Sequence, residues 1–177
     1  LAIMGHTGAG KTTLIRLIAG ILEPDKGNSI LKGDGNEWDT AELERTNFVY
    51  VPQGNSLMSG TIRDNLYLGN PQASEEQIQK ALYAACAEFV YALPEGLDTL
   101  CGEHGNGLSE GQAQRIAIAR GLLRPGGLLL MDEPTSALSD TEIENLFHLI
   151  KKFKEKGLSI IYISHHLDEI FKVADSV

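Results

Sequence analysis

The chain has 177 residues, enough for one domain with a sizeable core, or for such a domain carrying a small insertion. Its 42% hydrophobic and 22% charged residues are ordinary globular composition, which excludes a disordered chain, and no apolar run approaches the length of a membrane span. A net charge of −9 argues against a general nucleic-acid-binding surface, because phosphate neutralisation needs clustered Lys and Arg.

Apolar runs alternate with helical patterns along the chain, which predicts an α/β fold with a mainly parallel sheet flanked by helices. Residues 1–4 read as a strand, and without a basic n-region before them a signal peptide is not expected. A helix follows over residues 12–19, carrying Leu14, Ile15, Leu17 and Ile18, with Gly20 as its stop. Strands are expected at 29–31 and at Phe48–Val51. Capping boxes at Ser74…Gln77, Ser109…Gln112 and Ser139…Glu142 announce three helix starts. The first leads a helix to about Ala92, with Ile78, Ala81, Leu82, Ala85 and Phe89 on one face. Pro94-Glu95-Gly96 and Pro125-Gly126-Gly127 are turns. Leu128–Asp132 is apolar until it ends in carboxylates, as a fully buried central strand would be. The next helix begins near Asp140 and closes at Gly157, and Lys151, Lys152, Lys154 and Lys156 complement its dipole. Ser159–Ser164 is the last strand. The stretch between Phe48–Val51 and Leu128–Asp132 is too long for an ordinary crossover. It predicts a helical subdomain at about 59–124, inserted in a core formed by 1–58 and 125–177. Cys86 and Cys101 have no metal-ligand spacing, and a reducing setting fits them best.

Gly5-His6-Thr7-Gly8-Ala9-Gly10-Lys11-Thr12 fits the P-loop pattern G-x-x-x-x-G-K-[ST] without exception. Its glycines let successive backbone amides point at phosphate oxygens, and the helix that follows adds its positive end. Lys11 is expected to reach the β- and γ-phosphates of a nucleoside triphosphate, with Mg-ATP the expected ligand, and the Thr12 hydroxyl to ligate Mg²⁺. A dinucleotide-binding loop is not matched, since Gly8-Ala9-Gly10 lacks the third glycine of that motif. Asp132, delivered at the C-terminal end of a buried strand, is placed to hold Mg²⁺, and Glu133 to orient or deprotonate the attacking water.

Leu108-Ser109-Glu110-Gly111-Gln112 narrows this reading, because it closely resembles the signature motif of ATP-binding-cassette (ABC) ATPases. The resemblance covers nearly the whole chain and implies roles for further residues. Ser109, Gly111 and Gln112 would meet the γ-phosphate bound on an opposing cassette, and Thr13 joins residues 5–12 in the phosphate-contacting set. Val51-Pro52-Gln53 looks like the Q-loop, whose glutamine contacts Mg²⁺ and water, and Ser164-His165 looks like the switch histidine. His166 competes for that role; His6, His104 and His148 read as surface or loop residues apart from the P-loop position of His6. The implied assembly is a head-to-tail pair of cassettes with two Mg-ATP between them. It would act with a transmembrane transport domain, fused or separate, at the cytoplasmic face of a membrane, and no nucleic acid is expected.

Subfamily signals conflict. Gly60-Thr61-Ile62-Arg63-Asp64-Asn65-Leu66 and Gly102-Glu103-His104-Gly105 look like exporter cassettes, whereas residues 140–177 look like sugar-importer ATPases, the change falling at about 130–139. The family's D-loop usually ends in Asp, and here Ser136-Ala137-Leu138-Ser139 ends in serine. The chain also starts at the P-loop strand, so the resemblance implies truncation at both ends, without the upstream aromatic that stacks on adenine. Two other functions remain open at this point: a soluble ABC-class ATPase acting in DNA repair or translation, and a degenerate cassette that binds ATP to regulate a partner.

Overall fold

A computed structural model of the protein describes residues 1–33, 36–40, 48–54, 56–101, 107–155 and 157–176. Strand β1 (Ala2–Met4) leads to helix α1 (Lys11–Ile18), then to the hairpin strands β2 (Ile30–Gly33) and β3 (Asn36–Asp39), and to β4 (Phe48–Val51). A two-residue strand β5 (Gly60–Thr61) precedes α2 (Ile62–Tyr67) and α3 (Glu75–Ala84). Two short 3-10 helices (Glu88–Ala92 and Gly96–Asp98) run into β6 (Leu100–Cys101), which pairs antiparallel with β5. After α4 (Glu110–Leu123) come β7 (Leu128–Asp132), α5 (Asp140–Glu155), β8 (Ser159–Ser164) and α6 (Leu167–Val173).

The main sheet has the order β1-β8-β7-β4, and every pairing in it is parallel. Alternation along these strands sorts side chains onto two covered faces. Leu130, Ile163 and Phe48 pack with Ile15 of α1 and with Ala19, its C-cap. Leu129, Met131, Val49, Val51 and Tyr162 face the other way, into a larger cluster with Ile116 and Ala119 of α4 and Phe147 and Ile150 of α5. That cluster continues through Ile62, Leu66, Ile78 and Leu82, so the helical stretch shares one core with the sheet. Covering on both faces is what a parallel sheet requires, and it explains why Leu128–Asp132 is apolar without alternation. Register sets the edge that matters for function. Met4 lies opposite Ser164, Asp132 opposite Ile163, and Val51 opposite Met131, so all four strands end along one side.

The helix expected from Ser74 to about Ala92 is broken. α3 stops at Ala84, Cys86 sits at φ +54, and the chain resumes as a 3-10 turn. The apolar spacing continued across the bend because Ala87 and Val90 are fully buried on the same core as Ile78 and Leu82. The carbonyl released at the bend is taken by Arg115 of α4, which donates to Cys86 O at 3.0 Å and lies over the Phe89 ring. Strand β2 is shifted from 29–31 to Ile30–Gly33, and its partner Asn36–Asp39 was not anticipated, because that strand is polar and largely exposed. The Ser74 and Ser109 capping boxes form as read, and Thr61…Asp64 forms another. Gly157 ends α5 at φ +84. The segment Gly102-Glu103-His104-Gly105 lies outside the described residues.

Leu130→Ala, at the middle of the central strand, is expected to cost about 2–5 kcal/mol in urea unfolding. Tyr83→Ala, on an exposed surface of α3, should stay within about 0.5 kcal/mol.

Candidate functional site

Residues 5–12 carry the chain from β1 into α1. Gly8 and Gly10 take φ values of +84° and +91°, a backbone that only glycine adopts without strain. The Ala9 amide donates to His6 O at 3.1 Å, which closes the turn. Gly10 is the N-cap of α1 and brings no side-chain cap, so the helix presents its first amides and its positive end uncapped by the chain. Residues 6–10 and Thr13 are exposed, Thr12 is half-buried and Lys11 is buried. The Lys11 ammonium donates to Gly5 O at 2.8 Å and His6 O at 3.2 Å, and lies 3.4 Å from a Glu133 oxygen. Its three donors are thereby all engaged.

Glu133 is where the strand ends meet. It follows β7 at φ +45, a strained conformation for a side-chain-bearing residue, with its own amide tied to Ile163 O at 3.0 Å. Its Oε1 faces Lys11, while Oε2 accepts from Gln53 Nε2 at 3.2 Å and lies 3.2 Å from His165 Nδ1. Three sequence-predicted residues, each from a segment that follows a different strand, therefore converge on the carboxylate of a fourth. Asp132, one residue earlier, is buried; its Oδ2 accepts from the Tyr50 hydroxyl at 3.3 Å, and its Oδ1 has no hydrogen-bond partner among the described residues. Burial foremost, with help from Asp132, raises the Tyr50 phenol above its ordinary value against the pull of Arg16, which keeps it a donor. His166 stacks against His165 with ring centroids 4.0 Å apart, but its amide is held by Ser164 Oγ. His6 and His148 are exposed, and His104 lies outside the described residues.

The signature-like segment stands apart from this cluster. Ser109 and Gln112 hydrogen-bond each other, and Ser109 is exposed. Gly111 is packed so closely on Ala137 that an added Cβ would lie 2.5 Å from the Ala137 carbonyl oxygen. Two further α4 residues join it to its surroundings. Gln114, fully buried, donates to Pro52 O at 3.4 Å, just before Gln53. Arg115 pairs with Glu142, and Glu142 accepts from both the amide and the hydroxyl of Ser139. Burial works to raise the Glu142 carboxyl, but the Ser139 donors and Arg115 outweigh it and hold it below its ordinary value. Of the third capping box, the half in which Glu142 takes the Ser139 amide is present, and the Ser139 hydroxyl donates to the same carboxylate. Sequence reasoning missed Tyr50, Gln114 and Arg115, since each acts through contacts between segments distant in sequence.

The family model for ABC transporters matches residues 1–136. The chain belongs to the ABC transporter family. It is 33% identical, over 99% of its length, to a ribose import ATP-binding protein of Lacticaseibacillus paracasei, and covers 36% of that protein. It is 38% identical, over its whole length, to a beta-(1→2)glucan export ATP-binding/permease protein of Agrobacterium vitis, and covers 30% of it. Among solved structures, an ATP-bound bacterial Atm1-family ABC exporter matches 99% of the chain with a TM-score of 0.86 and 35% identity; the chain covers 30% of that exporter. This ABC-family chain therefore spans about a third of the length of these relatives, which include both import and export proteins. The α/β fold with its parallel sheet agrees with the exporter's.

The Gly111 contact gives a direct test. Gly111→Ala should lower unfolding stability by about 1–3 kcal/mol as the Ala137 loop is forced away. An unchanged urea midpoint would mean that the two segments are not in contact.

Proposed function

We propose that this chain is the ATP-binding and hydrolysing cassette of a membrane transporter. The observation that carries the proposal is the convergence of Lys11, Gln53 and His165 on Glu133, beside an uncapped P-loop helix and a buried Asp132 oxygen without a partner among the described residues. Open α/β sheets bind ligands beyond the carboxyl ends of their strands, and all these groups lie there.

In this reading the amides of residues 5–12 and the Thr13 hydroxyl hold the phosphates, with Lys11 on the β- and γ-phosphates. Lys11 now spends its donors on Gly5 O, His6 O and Glu133, so a phosphate enters by replacing contacts the chain makes with itself. The donor set fits Mg²⁺. Asp132 Oδ1 is buried and has no partner among the described residues, and the hydroxyl of Thr12 and the amide oxygen of Gln53 add hard oxygen ligands. Bound there, Mg²⁺ would neutralise charge on the phosphate oxygens. Glu133 accepts the proton of the attacking water, and His165 steadies the γ-phosphate from the end of β8. Both already share a contact, so one small movement of Glu133 away from Lys11 and His165 frees all three.

Ser109, Gly111 and Gln112 have no phosphate within their own chain to touch in this arrangement. We infer that they complete the site of a second cassette, paired head-to-tail, and that residues 59–124 present them as a helical subdomain. A transmembrane transport domain is the remaining partner, which places the cassette at the cytoplasmic face of a membrane. No helix among the described residues is long and apolar enough to cross one.

Lys11→Ala should abolish binding of Mg-ATP in calorimetric titration, and unchanged affinity would remove the P-loop assignment. Glu133→Gln in the full chain should trap an ATP-dependent dimer by light scattering. A variant that stays monomeric at saturating ATP contradicts the two-cassette site.

A further inference from the structure

Glu169 is a buried carboxylate on the first turn of α6, outside every motif described above. A single oxygen of it, Oε2, accepts three hydroxyls: Ser164 at 2.7 Å, Tyr162 at 2.8 Å and Thr135 at 2.9 Å. All three donors are themselves buried. A carboxylate is an acceptor only, so the hydroxyl protons all point inward to it. Burial above all, with the nearby Glu169 and Glu133 carboxylates adding to it, holds the Tyr162 phenol well above its ordinary value, and it stays a donor.

The three hydroxyls lie on the two segments that carry the reacting groups. Ser164 is the last residue of β8 and immediately precedes His165. Its oxygen donates to Glu169 and accepts the His166 amide at 3.0 Å, so His165 stands between two residues fixed by one hydroxyl. Thr135 lies two residues beyond Glu133, and its carbonyl accepts the Leu138 amide at 3.0 Å. Tyr162 fills the space between them, its hydroxyl 3.5 Å from Thr135 Oγ1. Hydrogen bonds to a charged group are stronger than neutral ones, and three on one oxygen make a rigid junction.

We propose that Glu169 is a positioning residue that sets the contact between Glu133 and His165, by tying the loop after β7 and the turn after β8 to the start of α6. This rests on the functional reading above, in which those two side chains serve ATP hydrolysis. Glu169 hydrogen-bonds neither of them, and acts through Ser164 and Thr135.

The test uses the full chain, with Glu169→Gln, Ser164→Ala and the double variant. Without nucleotide, hydrogen exchange over residues 164–170 should quicken by about tenfold or more in each variant, while α1 is unchanged. ATP affinity should hold within about twofold, whereas kcat should fall about tenfold, and the double variant should be no slower than Glu169→Gln. Ser164→Ala removes one hydroxyl only, and tests the same bond if Glu169→Gln fails to fold. Unchanged exchange overturns the anchoring. Faster exchange with unaltered kcat, or losses that multiply in the double variant, overturns the positioning role. Absence of Lys11-dependent hydrolysis in the unaltered chain instead defeats the functional reading, and with it the role assigned to the anchor, while the exchange result still decides whether the anchor exists.

Discussion

Parallel pairing of β7 with both β4 and β8 is the constraint from which the site follows. A parallel strand has its backbone groups bonded on both edges and its side chains covered on both faces. Leu129, Leu130 and Met131 are accordingly buried, and the register leaves them little freedom to slip. A one-residue shift would exchange the face packed on α1 for the face packed on α4 and α5. With that register set, the C-terminal ends of β1, β8, β7 and β4 fall along one side, and residues numbered 11, 53, 133 and 165 become neighbours. No local sequence preference could bring them together.

Lys11 and Glu133 satisfy one another at this edge. Lys11 has an acceptor for each donor, and Glu133 is shared by an ammonium, an amide and an imidazole. Removing one partner of a desolvated pair leaves the other exposed to the full desolvation penalty, so such a cluster changes state by exchanging partners. In the proposed reading, an incoming triphosphate would supply oxygens that replace Gly5 O, His6 O and Glu133 around Lys11. The positive φ of Glu133 costs about 1–2 kcal/mol for an L-residue, and is held in place by its amide bond to Ile163 O. Strain at this position is what turns the carboxylate out of the strand's alternation toward the other strand ends.

Much of this was readable in the sequence, for definite reasons. The P-loop, the Asp132-Glu133 pair and the Ser109 and Ser74 caps are contiguous patterns whose chemistry is local, and strands β4, β7 and β8 were read at their observed ends. The failures involve non-local satisfaction. The bend at Cys86 is invisible to periodicity, because Ala87 and Val90 return to the same core and Arg115 takes the freed carbonyl from another helix. Strand β3 has no apolar face to betray it. Ser139 reads as a cap and does bond Glu142, but the link onward to Arg115 joins helices distant in sequence. Glu169 carries no local pattern that marks it, because its three hydroxyl partners come from residues 135, 162 and 164.

The most direct test of the account is a structure of the full chain with Mg²⁺ and a non-hydrolysable ATP analogue. The account predicts the γ-phosphate on Lys11 Nζ, the Glu133 carboxylate released from that ammonium, and the metal on Asp132 Oδ1. A triphosphate bound elsewhere, with Lys11 still held by Gly5 O, His6 O and Glu133, would contradict it.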